Sequence, residues 1–187
     1  MSQNYKKKIL SIKELKKKIG SRPRKKKVIM CHGSFDIVHP GHIRHLMYAK
    51  KKSDILVASI TCDKYIVKGN VRPYVPEELR ALNLAVLDFV DYVIIDHNES
   101  PIKNLKSLKP DYFAKGYEYS ENDIHPKTRE EISVLKKYGG EIIFTPGDIV
   151  FSSTNIGENK GIRLEIEKLR VLMQSYSITF NDLRSTL

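Results

Sequence analysis

Two hydrophobic rhythms alternate along this chain. Residues 28–32, 54–60, 91–95, 111–114 and 141–145 are short, nearly continuous apolar runs rich in Val and Ile, the pattern of strands buried on both faces. Between them, residues 41–51, 76–90, 101–108 and 128–138 repeat apolar positions every three to four residues, the pattern of helices. The second helix opens with Pro76-Glu77-Glu78, a proline and acids suited to a first turn, and its apolar residues Leu79, Leu82, Ala85, Val86 and Phe89 predict its buried face. Gly139-Gly140 stops the fourth helix, and a further helix is expected to begin near Ser153. Strands and helices in strict alternation predict an α/β fold: a Rossmann-like, doubly wound parallel sheet of five strands, with helices on both faces and right-handed crossovers.

The ends read differently. Residues 8–19 carry helix-like apolar spacing with Ser11 placed as a cap, so a short helix is expected to pack on the body. This divides the chain into a basic leader (1–27), a main domain (28–158) and a helical extension (159–187) that reads as a linker to a further domain. The formal charge of +11 is concentrated in the leader, which holds twelve Lys and Arg against Glu14, while the remainder balances 21 bases against 21 acids. A neutral body and a leader without interleaved aromatics argue against a nucleic-acid-binding protein. No stretch reaches the roughly 18 apolar residues of a membrane span, and the start lacks a secretory signal's apolar block; a cytoplasmic protein without a membrane partner is expected. Cys31 and Cys62, lacking CxxC spacing, read as reduced, packed thiols, and no metal-ligand set is predicted.

Candidate chemistry lies in the loops that follow the strands, where parallel sheets bind ligands. After the first strand the chain reads Gly33-Ser34-Phe35-Asp36-Ile37-Val38-His39-Pro40-Gly41-His42. Two histidines flank a Pro-Gly helix start whose free N–H groups favour phosphate oxygens, so both imidazoles can face one anion and stabilise charge developing on it. Gly33 and Gly41 leave room for close backbone approach. Lys68 and Arg72 stand in a polar loop where cations can hold an acceptor phosphate or pyrophosphate, unless that loop is merely exposed and basic. Arg80 either leans toward the same phosphates or is an ordinary surface residue. Lys115 faces a nucleotide or is a turn lysine; Asp63 binds ribose or caps a turn; Asp36 orients a histidine or caps its own turn. Ser152, Ser153 and Thr154 cluster hydroxyls at a helix start, suited to distal phosphates.

Taken together, these segments resemble the HxGH-motif nucleotidyltransferases of the cytidylyltransferase-like superfamily. The closest likeness is to the adenylyltransferase domain of ADP-heptose synthesis. It is carried by the G-x-F-D-x-x-H-x-G-H stretch and by Lys68-Gly69-Asn70-Val71-Arg72-Pro73, Pro76-Glu77-Glu78-Leu79-Arg80-Ala81, Val90-Asp91-Tyr92-Val93, Lys109-Pro110-Asp111 leading to Lys115-Gly116, and Ser152-Ser153-Thr154. The resemblance implies transfer of a nucleotidyl group from an NTP, ATP favoured, to a sugar 1-phosphate such as a heptose phosphate, with pyrophosphate released and Mg²⁺ accompanying the triphosphate. In that scheme His39, His42, Lys68 and Arg80 are the catalytic set. Gly33, Ser34, Phe35, Gly41, Asp63, Arg72, Lys115, Ser152, Ser153 and Thr154 surround the nucleotide and phosphates. A homodimer and a fused or partner sugar kinase are also implied. Two further functions fit the same residues: a CTP-dependent enzyme acting on a polyol or amino-alcohol phosphate, and a nucleotide- or RNA-binding module without catalysis. The arginine that glycerol-phosphate cytidylyltransferases carry before their Ser-Thr-Thr turn is missing here, which favours the sugar phosphate. Lys115-Gly116-Tyr117-Glu118-Tyr119 stands where K-G-G-D-Y is usual.

Overall fold

In the computed structural model, which describes residues 4–66, 73–116 and 126–145, five parallel strands form one sheet in the order β3-β2-β1-β4-β5. These are β1 (Val28–Gly33), β2 (Ile55–Thr61), β3 (Tyr92–Asp96), β4 (Tyr112–Gly116) and β5 (Glu141–Thr145). Between them run α2 (Pro40–Lys51), α3 (Glu77–Ala85), α4 (Ile102–Leu108) and α5 (Pro126–Lys136), preceded by α1 (Ile12–Ile19). Successive strands step from β1 outward to β3, and the chain then crosses back to place β4 on the other side of β1. The predicted doubly wound sheet is what forms, and the order reverses between β1 and β4, the crevice where such sheets take ligands.

Both faces of the sheet are covered because its strands are apolar on both sides. Leu46 and Ala49 of α2 and Ala81, Leu84 and Ala85 of α3 pack with Ile29, Leu56 and Val93 on one face. On the other, Leu15 of α1, Leu105 of α4 and Leu135 of α5 pack with Met30, Val57, Ile94 and Phe113. The leader is part of this body. Ser11 caps α1 in a reciprocal box with Glu14, Leu10 N–H donates to the Val93 carbonyl of β3 at 2.9 Å, and Leu15 is fully buried.

The structure corrects the reading of α3. That helix ends at Ala85 instead of continuing to Val90, and the chain reaches β3 through tight turns. Its buried face is Arg80, Ala81, Leu84 and Ala85, while Leu79 and Val86 are 51% and 55% exposed. The face is rotated because Arg80, a residue that periodicity counts as polar, is drawn inward by the acceptors around its guanidinium. At the end of α5, Gly139 takes φ of 71°, and a Cβ on Gly140 would stand 2.7 Å from the Tyr138 ring and 3.0 Å from the Pro110 carbonyl. Cys31 and Cys62 are buried free thiols. All described residues belong to the unit spanning 1–150. Lys68, Arg72, Ser152, Ser153, Thr154 and the extension 159–187 lie outside the described residues.

Candidate active site

β1 delivers the chain to the carboxyl edge beside the reversal point, and the loop 34–39 turns it into α2. Phe35 takes φ of 46°, a left-handed conformation unfavourable for a non-glycine residue by roughly 1 kcal/mol. Its ring is 3% exposed, lies over Gly33 and meets His42 with centroids 5.0 Å apart, and this packing holds the loop in that conformation. Asp36, 1% exposed, accepts from the Val75 N–H at 3.0 Å, tying the loop to the segment that precedes α3.

His39 occupies the N-cap position of α2 and Pro40 its first turn. The His39 Nδ1 accepts the Gly41 N–H at 3.2 Å, so in the neutral ring the proton sits on Nε2. His42 stacks on His39 with centroids 3.8 Å apart and planes 28° from parallel. Burial lowers the pKa of both. For His42, burial is joined by repulsion from His39 and His45, and the result is about 3 despite the opposing Ile37 backbone. At neutral pH the pair is therefore uncharged, and His39 presents an Nε2–H donor beside the N-terminus of α2.

Behind the pair lies a hydrogen-bond chain that the sequence did not reveal. Thr145, at the end of β5, donates to the Lys115 carbonyl at 3.2 Å, so it accepts from His45 Nδ1–H at 2.8 Å. This ties α2 to the edge formed by β4 and β5. His32 bonds Ser59 through Nδ1 at 2.9 Å and Thr61 through Nε2 at 3.2 Å, and Asp96 is buried 3.9 Å from Nδ1. Burial, with a smaller effect from Lys115, pushes His32 down to about 4; burial alone brings His45 to about 4. The only advance signal for either histidine was its closeness in sequence to His39 and His42.

Arg80 does not lean toward an open phosphate site. Its side chain is fully buried, with Nε donating to the Val75 carbonyl at 2.9 Å and Nη1 to the Ser34 carbonyl. Nη2 reaches the Thr61 carbonyl at 2.8 Å and Asp63 at 2.6 Å. The guanidinium joins the loop after β1, the end of β2 and the segment before α3. Asp63 exchanges backbone hydrogen bonds with Glu77, accepting from Glu77 N–H at 3.3 Å while its own N–H donates to Glu77 at 2.6 Å. The Asp63 carboxylate thus serves the start of α3 and Arg80, and it does not cap the turn that follows it. Lys115, at the end of β4, pairs with Glu131 of α5 at 2.5 Å, both side chains largely buried.

This edge unites strand ends, a helix N-terminus and stacked histidines, and the family comparison fits it. The sequence model described as cytidylyltransferase-like matches residues 30–159. The chain belongs to that family. It is 37% identical over 123 residues to the bifunctional protein HldE of Campylobacter concisus, covering 65% of this chain and 26% of that protein. To HldE of Geobacter metallireducens it is 34% identical over 139 residues, covering 73% and 27%. It therefore spans about a quarter of the length of these curated relatives. A crystal structure of the lipopolysaccharide core biosynthesis protein from Thermoplasma volcanium superposes with a TM-score of 0.53 and 28% identity, over 65% of this chain and 95% of that one. A pantoate-beta-alanine ligase from Francisella tularensis shares the fold, with a TM-score of 0.57 at 19% identity over 81% of this chain and 73% of that one.

Proposed function

We propose that this chain is a nucleotidyltransferase that joins the nucleotidyl group of an NTP to a sugar 1-phosphate and releases pyrophosphate. The observation that carries this reading is the neutral His39–His42 stack at the start of α2. The acceptor phosphate attacks the α-phosphorus in line, and negative charge spreads over the α-phosphate oxygens and the departing pyrophosphate. A neutral His39 meets this with Nε2–H already oriented by the Gly41 amide, adding a donor to the helix N-terminus without reorganisation. His42 lies against it, within reach of the same phosphate. Among the described residues no group of three metal-ligating side chains is gathered. Mg²⁺ would accompany the triphosphate and would neutralise charge on the leaving group.

ATP as donor and a heptose-type phosphate as acceptor are supported by similarity to the HldE proteins and to the lipopolysaccharide core biosynthesis protein. The family's own description keeps CTP as the alternative donor. The relatives are bifunctional and this chain matches a quarter of their length, which supports a second activity on a separate domain or partner, for which we infer a sugar kinase. Homodimerisation and a cytoplasmic location belong to the same proposal.

The test is pyrophosphate release with ATP and with CTP, each with Mg²⁺ and a panel of sugar 1-phosphates and polyol phosphates. Acceptor-dependent release is expected, falling at least about 100-fold in His42→Ala and in His39→Ala while NTP binding changes little. Nucleotide binding without release on any acceptor would instead favour the binding module.

A further inference from the structure

The parallel topology gathers basic residues from five separate segments onto one pole. Each crossover helix runs antiparallel to the strands, so the helices' C-terminal ends meet the strands' amino ends, opposite the candidate active site. Hydrogen bonds tie this pole together: Asp54 N–H donates to the Lys27 carbonyl, Asp111 N–H to the Val28 carbonyl, and Arg24 to the Leu108 carbonyl at the end of α4. Arg22 reaches the Tyr138 and Gly139 carbonyls beyond α5. Around this frame stand twelve exposed lysines: Lys16 to Lys18 at the end of α1, Lys25 to Lys27 before β1, Lys51 and Lys52 at the end of α2, and one pair each at the ends of α4 and α5. Exposed acids at the pole are Asp54, Asp88 and Glu141.

Cations at helix C-termini ordinarily serve the helix dipole. Here that need is already met in part by Arg22 and Arg24, and Lys25 to Lys27 precede a strand and serve no helix end. We propose that this pole docks the protein on an anionic lipid surface, with the catalytic edge facing away into solvent. Two features select a lipid surface over a nucleic acid, and a third sets the mode of contact. The arginines, the residues suited to bidentate phosphate reading, are committed to carbonyls and to Asp111, leaving lysines as point charges. The rings at the pole, Tyr92, Tyr138 and Tyr48, are only part-exposed and each already lies under a cation, Lys18 at 5.2 Å, Arg22 at 5.6 Å and Lys52 at 5.5 Å, so none is open to stack a base. Finally, the apolar side of α1 is spent on the core through Leu15, leaving adsorption by charge rather than insertion. Between the ends of α1 and α4 a recess of about 80 Å³, lined by Lys16, Ser21, Arg22, Ser107, Leu108 and Lys109, can take a headgroup phosphate.

The test is co-sedimentation of the full chain with phosphatidylcholine vesicles with and without about one-third phosphatidylglycerol, at low and high salt, beside binding to a double-stranded RNA. Binding to the anionic vesicles alone is expected, at least about tenfold weaker at 0.5 M salt because charge is screened. It should also be about tenfold weaker when Lys16, Lys17, Lys18, Lys25, Lys26 and Lys27 are all changed to Gln, in a variant shown by its melting curve to be folded. Replacing Lys64, Lys103 and Lys127, which lie away from the pole, should leave it unchanged. Equal binding to neutral vesicles, no vesicle binding, retention by the six-Gln variant, or tighter binding to the RNA would each overturn the proposal.

Discussion

Arg80 is a fully buried cation whose guanidinium ties together the loops that frame the candidate site. Its four contacts come from Ser34, Thr61, Asp63 and Val75, so it fixes the two loops that flank β1 and β2 at their carboxyl ends. Arg80→Met would leave three backbone carbonyls and one carboxylate without their donor, and is expected to lower stability by about 3 kcal/mol. Arg80→Lys should recover little, because one ammonium cannot span acceptors on three segments. Both substitutions should lower kcat while the NTP remains able to bind. Thermal melts and steady-state kinetics on the two variants check this, and a lysine variant with unchanged melting temperature and kcat would refute the positioning role. The HPGH stretch was legible in the sequence because its geometry is local: a cap, a proline and a helix start within four residues. The role of Arg80 was not, because its partners are up to 46 positions away and three are backbone carbonyls that no motif marks.

At the scale of elements, the five strands and four crossover helices were legible because each had to be apolar enough to fill a two-sided sheet. The face of α3 was misread for a related reason, since periodicity treats every arginine as an outward residue and here one is the helix's largest fully buried side chain. α2 carries the histidines, and its seat depends on His45 meeting Thr145 of β5, which in turn holds the Lys115 carbonyl of β4. Thr145→Val removes both bonds while nearly preserving shape. It should lower stability by about 1–2 kcal/mol and shift α2 relative to the β4 edge, reducing kcat roughly tenfold with little change in the KM for NTP. Thr145→Ser keeps the hydroxyl and should restore most of the loss. If valine and serine behave alike, the hydrogen-bond chain does not seat the helix.

For the whole molecule, the winding that creates the site also buries its histidines. His32 sits on β1 among Ser59 and Thr61, His45 is closed in between α2 and the end of β5, and His42 lies beneath His39 and Phe35. Their pKa values fall from the ordinary 6.5 to about 4, about 4 and about 3. In the unfolded chain the same side chains take up protons near pH 6.5, so between that pH and about 4 the unfolded state binds more protons than the folded one. Stability is therefore full above about pH 6.5 and drains as pH falls through this window, by at most about 3 kcal/mol for each of His32 and His45. Asp96 acts in the opposite sense, since burial raises its pKa and acidification relieves that strain. Its gain accrues as pH falls through its raised value, and this one carboxyl offsets only part of what the three histidines lose. A melting-temperature series from pH 7.5 to 4.5 should fall steadily below about pH 6.5. His45→Gln, which keeps a side-chain donor for Thr145 but does not titrate, should fall less steeply. Parallel curves for the two proteins would mean that His45 is not held neutral in the fold and that the acid sensitivity arises elsewhere.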